Sequence, residues 1–171
     1  MQNNFKNIEF LKQITTHDYG SFLKLPPMIP FSEEITDYLN ALSKEINKDP
    51  RIQKFPDVRT FSFFCRKANL LLLKKKYYDS SITKLGRGLV FHIAPSNVPV
   101  NFAFSLMISL LSGNFNIVRV PSKKFEQTEI IVNAINKLAQ VSQYSNISNR
   151  IILVSYDRNS DATKEFSRDC D

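Results

Sequence analysis

The sequence predicts an α/β fold: a parallel sheet with helices on both faces, preceded by a helical N-terminal region. Three observations carry this. From Leu85 onward, short apolar runs alternate with helical patterns in the order β-α-β-α-β, followed by the start of another helix. Runs that are apolar on both faces belong in a sheet covered on both sides, and crossover helices make neighbouring strands parallel. Three of the four glycines, Gly86, Gly88 and Gly113, fall in this stretch, where the texture of the sequence changes. The expected organisation is a mainly helical region over residues 1–84 packing on the sheet, then a β-α-β-α-β-α unit over residues 85–171.

The elements follow in order. The first thirty residues are weakly patterned and end in Pro26-Pro27-Met28-Ile29-Pro30, which forbids a continuous helix because each proline removes a donor and pushes its predecessor to extended geometry. Ser32 then caps a helix with Glu33 and Glu34 in its first turn. Ile35, Leu39, Leu42 and Ile46 line one face of it, and Asp49-Pro50 stops it. A second helical pattern runs from Val58 to Tyr78, with Phe61, Phe64, Cys65, Ala68, Leu71 and Leu72 on one stripe and Lys74-Lys75-Lys76 at its negative end. Strands are predicted over 89–94, 115–120 and 150–156. The helices between and after them cover Val98 to Leu111, ended by Gly113; Lys123 to Val141, with Ile131, Ile135 and Leu138 inward; and Ala162 to Arg168.

Composition excludes several classes. With 43% hydrophobic and 23% charged residues among 171, the chain is neither disordered nor collagen-like. Its longest apolar stretch, Val98 to Leu111, is interrupted by Asn101, Ser105 and Ser109 and falls short of the roughly 18 residues of a membrane span. The N-terminus lacks the basic-then-apolar layout of a signal peptide. Cys65 and Cys170, with His17 and His92, make neither a disulfide framework nor a zinc site. A cytoplasmic domain with reduced thiols and no metal is expected.

Charge is uneven. Residues 51–87 carry ten basic and two acidic groups, net +8, out of a total of +7. That suits nucleic acid, an anionic membrane surface or a phosphate-rich small molecule, and equally a solvated helix face. Cys65, inside the apolar stripe, reads as a buried core thiol.

Ligands of open parallel sheets bind at the carboxyl ends of the strands. Two loops qualify: Ala94-Pro95-Ser96-Asn97, and Arg119 to Lys124. Gly86-Arg87-Gly88 precedes its strand and lacks a third glycine, so the dinucleotide fingerprint is absent, as is any phosphate-cradling GxxxxGK[ST] loop. Asn97 is placed either to cap the helix at Val98-Pro99 or to offer an amide N–H to an oxyanion. His92 reads as a hydrogen-bonded core histidine. Arg119, Lys123 and Lys124 suit phosphate or ribose contacts, or are simply solvated.

The run Gly88-Leu-Val-Phe-His-Ile-Ala-Pro-Ser-Asn-Val-Pro, then Leu111-Ser-Gly-Asn-Phe-Asn-Ile-Val-Arg-Val-Pro-Ser-Lys, resembles the Rossmann-like cofactor half of the aldehyde dehydrogenase superfamily. With the tail Val154-Ser-Tyr-Asp-Arg and Phe166-Ser-Arg-Asp-Cys-Asp, it is similar more narrowly to the acyl-CoA reductases of the Lux type, over about residues 57–171. The resemblance implies an NADPH-dependent reduction of a fatty acyl thioester to an aldehyde through a cysteine acyl-enzyme. It makes Asn97 the oxyanion donor, and Ala94, Pro95 and Ser96 the turn beside the nicotinamide-side ribose and phosphates. Arg119 stands where the family usually has a lysine on the adenine ribose, and Ser122 and Lys123 fall where a 2′-phosphate would lie, favouring NADP(H). Neither cysteine sits in a motif like the family's nucleophile, so the chain is expected to be the N-terminal part of a reductase. Its expected partners are an acyl-CoA or other acyl thioester, and an acyl-protein synthetase or transferase or the missing C-terminal half, with no nucleic acid and no membrane span. The alternative is a non-catalytic nucleotide- or partner-binding α/β module.

Overall fold

A computed structural model describes residues 8–11, 19–157 and 159–170. A short strand β1 (Glu9–Phe10) and helix α1 (Tyr19–Phe22) come first. Three helices follow, α2 (Glu33–Ile46), α3 (Pro56–Phe64) and α4 (Lys67–Tyr77), with a 3-10 turn at Pro50–Lys54. Then come β2 (Leu89–Ile93), α5 (Asn101–Leu111), β3 (Phe115–Arg119), α6 (Glu126–Ala139), α7 (Ser145–Ser148), β4 (Ile151–Ser155) and α8 (Ala162–Arg168).

The strand order is β1-β4-β3-β2. β2, β3 and β4 are parallel, as their apolar runs predict, and β1 pairs antiparallel with β4. Alternation along the strands feeds two cores. Val118, Ile151 and Leu153 face a layer built from α2, α5 and α6, whereas Leu89, Ile117, Ile152 and Val154 face Phe22 of α1 and Phe166 of α8. Strand residues are therefore covered on both sides, which is why these runs carry no polar face.

Four sequence expectations are corrected. The single helix over Val58–Tyr78 is two. The chain turns at Arg66, whose ψ of 138° leaves the helical region, and the new helix start is held by Asn40 Oδ1 accepting from Lys67 N at 3.0 Å. The break resets the helical phase, so Phe61, Cys65 and Leu70 are buried while Phe64, Ala68, Leu71 and Leu72 of the expected stripe are exposed. Ser32 precedes α2 but makes no side-chain cap; its carbonyl accepts from Thr36 N. Helix α5 begins at Asn101 rather than Val98, and α6 at Glu126 rather than Lys123.

The proline cluster is a clasp. Met28 N–H donates to Gly113 O at 2.8 Å, and Met28 O accepts from Gly86 N–H at 2.9 Å. Gly113 has φ +85°, and a Cβ there would stand 2.1 Å from Met28 O; a Cβ on Gly86 would stand 2.3 Å from Gly113 O. Only glycine permits this three-way backbone approach.

Candidate functional site

Parallel pairing brings three strand ends to one edge. Ile93 is opposite Arg119, and Arg119 is opposite Val154, so the loops after β2 and β3 emerge side by side. Asn97 and Arg119 therefore belong to the same end of the sheet. Ala94 packs against the core, whereas Pro95, Ser96 and Asn97 are exposed. Asn97 lies in the turn ahead of α5, and the residue at the helix cap is Val100, with no side-chain cap bond. The capping role for Asn97 is thus overturned by the later helix start, and the residue is exposed in the loop after β2.

Arg119 closes β3. Its guanidinium lies 4.6 Å over the Tyr156 ring and donates to Tyr156 O at 3.2 Å. An arginine held over an aromatic face is preorganised, with most of its five donors left over for a ligand. Tyr156 is itself held by its hydroxyl against Thr163 Oγ1 at 2.9 Å. Sequence reasoning left Tyr156 without a role; the available signal was an aromatic with a polar tip ending an aliphatic strand. Ser122, Lys123 and Lys124 are exposed in the next loop, where Lys123 Nζ sits 5.1 Å over Phe125. Arg119 and Lys123 share the loop but rest on different rings.

His92 is buried between Ser105 Oγ, 2.6 Å from Nδ1, and Asn116 Oδ1, 3.0 Å from Nε2. Burial holds its pKa below the ordinary histidine value. It is a core histidine, as the alternation predicts.

A family model described as "Acyl-CoA reductase (LuxC)" matches residues 23–171. The chain belongs to the LuxC family of acyl-CoA reductases. No curated protein and no solved structure gives a significant match.

For a LuxC-family chain the cysteines decide which chemistry is at hand. Cys65 is fully buried, its Sγ 3.6 Å from Met107 Sδ, and burial pushes its thiol well above the ordinary range. Cys170 donates to Phe166 O at 3.2 Å beyond the end of α8. That helix runs away from the loop edge: Asp169 accepts from Tyr19 Oη at 2.7 Å, Tyr19 stacks on Phe22, and Phe22 packs edge-on to Phe115, the first residue of β3. Cys170 thus lies away from the Asn97 turn, and Cys65 is enclosed in the core against α5.

A cavity lined by Phe10, Leu25, Asp49, Asn136 and Ile151 opens at the amino end of β4, far from the LuxC-type loops, and contains none of the predicted site residues. Among the described residues no three His, Cys, Asp or Glu side chains are gathered as a metal site, and no helix is long and apolar enough to cross a membrane.

Proposed function

We propose that this chain is the cofactor-side part of an NADPH-dependent fatty acyl thioester reductase of the cytoplasm. The observation that carries the reading is the register of Ile93 opposite Arg119, which sets the Asn97 turn beside the Arg119 loop. Arg119, braced on Tyr156, holds the adenine-side ribose; Ser122 and Lys123 receive the 2′-phosphate; Ala94, Pro95 and Ser96 line the nicotinamide side. The residues suit an anionic cofactor, since residues 119–125 include three cations and no acid. When bound, NADPH supplies the hydride.

The topology favours the same crevice. α5 and α6 carry the chain stepwise from β2 to β4 on one face, whereas α8 returns across the other face until the Phe166 ring packs at a tilt against Phe91 of β2 at 5.4 Å. Right-handed crossovers then direct a further parallel strand to the open side of β2, whichever polypeptide supplies it. That makes the Ala94–Asn97 loop a switch point, where α/β sheets bind ligands.

In the reaction, a thiolate attacks the acyl carbon and the thiol of the substrate leaves. Asn97 donates its amide N–H to the carbonyl oxygen while that oxygen carries negative charge, both in this step and when hydride reaches the carbon. The environments of Cys65 and Cys170 support a nucleophile supplied from outside this chain. The test is oxidation of NADPH with a long-chain acyl-CoA. The 171-residue chain alone should show none above background, and a complete enzyme carrying this chain should turn over. Turnover by the chain alone, abolished by Cys170→Ala, would put the nucleophile just beyond α8 and end this reading.

The cysteine positions also favour a second reading, a non-catalytic nucleotide- or partner-binding module. It predicts NADPH binding without turnover even after the rest of a reductase is restored.

A further inference from the structure

The hairpin of α3 and α4 carries a surface that the cofactor edge does not use. Because the chain turns at Arg66, Phe63 and Phe64 are 49% and 40% exposed, and Leu71 and Leu72 stand outward at 50% and 64%. Asn69 joins the two helices there, its Nδ2 donating to Phe63 O at 2.7 Å, and Leu72 follows one turn later on the same side of α4. Lys75 and Lys76 continue that outer side by a further turn, both exposed.

The charge of the hairpin is strongly one-sided, its one acid being Asp57 in the first turn of α3. Every charged residue from Val58 to Tyr78 is basic. Lys67 is paired with Asp37 at 2.7 Å and Lys74 donates to Phe31 O, so these two are engaged within the fold. Arg59, Arg66, Lys75 and Lys76 form no ion pair among the described residues. Arg66 lies 5.2 Å over the Phe63 ring and Lys76 5.1 Å over Tyr77, so cations and exposed rings are interleaved.

Exposed phenylalanines and leucines bordered by unpaired cations match the layering of a bilayer surface, with phosphates outside and acyl chains beneath. A second copy of this chain fits worse. A two-fold contact lays a patch on itself, which here would press like charges together. We propose that the α3–α4 hairpin docks this protein peripherally on an anionic lipid surface. Phe63, Phe64, Leu71 and Leu72 enter the headgroup layer, and Lys75 and Lys76 meet lipid phosphates. The inference stands independently of how the cofactor is held.

Co-sedimentation with vesicles tests it. The chain should bind vesicles of equal parts phosphatidylcholine and phosphatidylglycerol at low salt, and pure phosphatidylcholine far more weakly. Lys75→Ala with Lys76→Ala should reduce partitioning roughly 25-fold, about fivefold per lysine. Leu71→Ser with Leu72→Ser should reduce it as well, because the apolar part is lost. Both pairs are exposed, so thermal melts should match the parent; Lys44→Ala with Lys164→Ala should leave binding unchanged. Equal binding to both vesicles, or none to either, overturns the proposal. So does a dimer in light scattering that Leu71→Ser with Leu72→Ser dissociates, since a second copy would then own the surface.

Discussion

His92 and Asn116 meet across neighbouring parallel strands, and their contact fixes which ring nitrogen carries the proton. Asn116 Nδ2 donates to Asn114 O at 3.1 Å, which turns Oδ1 toward the ring as an acceptor. Nε2 is therefore the donor, and Nδ1 accepts from Ser105 Oγ. Neutral imidazole satisfies every member of this network, and burial opposes a second proton on the ring.

Acid should accordingly weaken the fold. The pKa of His92 in the folded chain is held below its unfolded value near 6.5, so its contribution is complete above that pH and is lost as pH falls toward the folded value. At pH 7.5, His92→Ala should cost about 1–3 kcal/mol by leaving Asn116 and Ser105 unpaired. Urea unfolding at pH 7.5 and 5.5 should show the gap between parent and variant narrowing in acid. A gap that does not change with pH would mean His92 is not buried neutral.

Gly113→Ala should destabilise by about 2 kcal/mol or more, because the residue has φ +85° and its new methyl would meet Met28 O. Gly20→Ala, with open space around it, should stay within about 0.5 kcal/mol of the parent. Denaturant midpoints measured side by side make the comparison. Equal midpoints would dissolve the clasp.

Arg119→Ala should weaken NADPH binding about tenfold or more, the usual worth of a charge-assisted contact. Arg119→Lys should recover only part of it, since an ammonium held over Tyr156 has no planar fork to offer a ligand. Calorimetric titration with NADPH and NADH reads both effects. The assignment fails if the two cofactors bind equally and the substitution changes neither.

Asn97→Ala should leave the melting temperature unchanged, because the side chain is exposed and caps no helix. In a complete reductase it should lower kcat by about 10²–10³. A drop of several degrees in the melt with normal turnover would reverse the two roles.

Native thiol labelling should modify Cys170 and spare Cys65, which reacts only after unfolding. Mass-mapped alkylation with and without urea distinguishes the two sites, and early label on Cys65 would contradict its burial against Met107.

The three parallel strands were readable because Leu89–Ile93, Phe115–Arg119 and Ile151–Ser155 are apolar on both faces, a pattern few other settings require. β1 was not readable: two residues give no period, and Glu9–Phe10 becomes a strand only because β4 offers an edge. The break after Phe64 was hidden because local propensity continues through it; the cause is Asn40, on another helix, taking the Lys67 N–H. At the loop edge, the positions of Asn97 and Arg119 followed from topology. What Arg119 leans on did not, because Tyr156 arrives from a strand more than thirty residues later.

The pairing of β1 with β4 joins two segments more than 140 residues apart in the chain, and the first must wait for the second. Glu9 and Phe10 have no sheet to join until Val154 and Ser155 have emerged, by which time β2, β3 and their helices can already have docked. Closing so long a loop is also the slowest kind of contact to form. The N-terminal strand is therefore a seal applied after the parallel strands are in place, and a nascent chain arrested before codon 151 should leave that segment open to proteases.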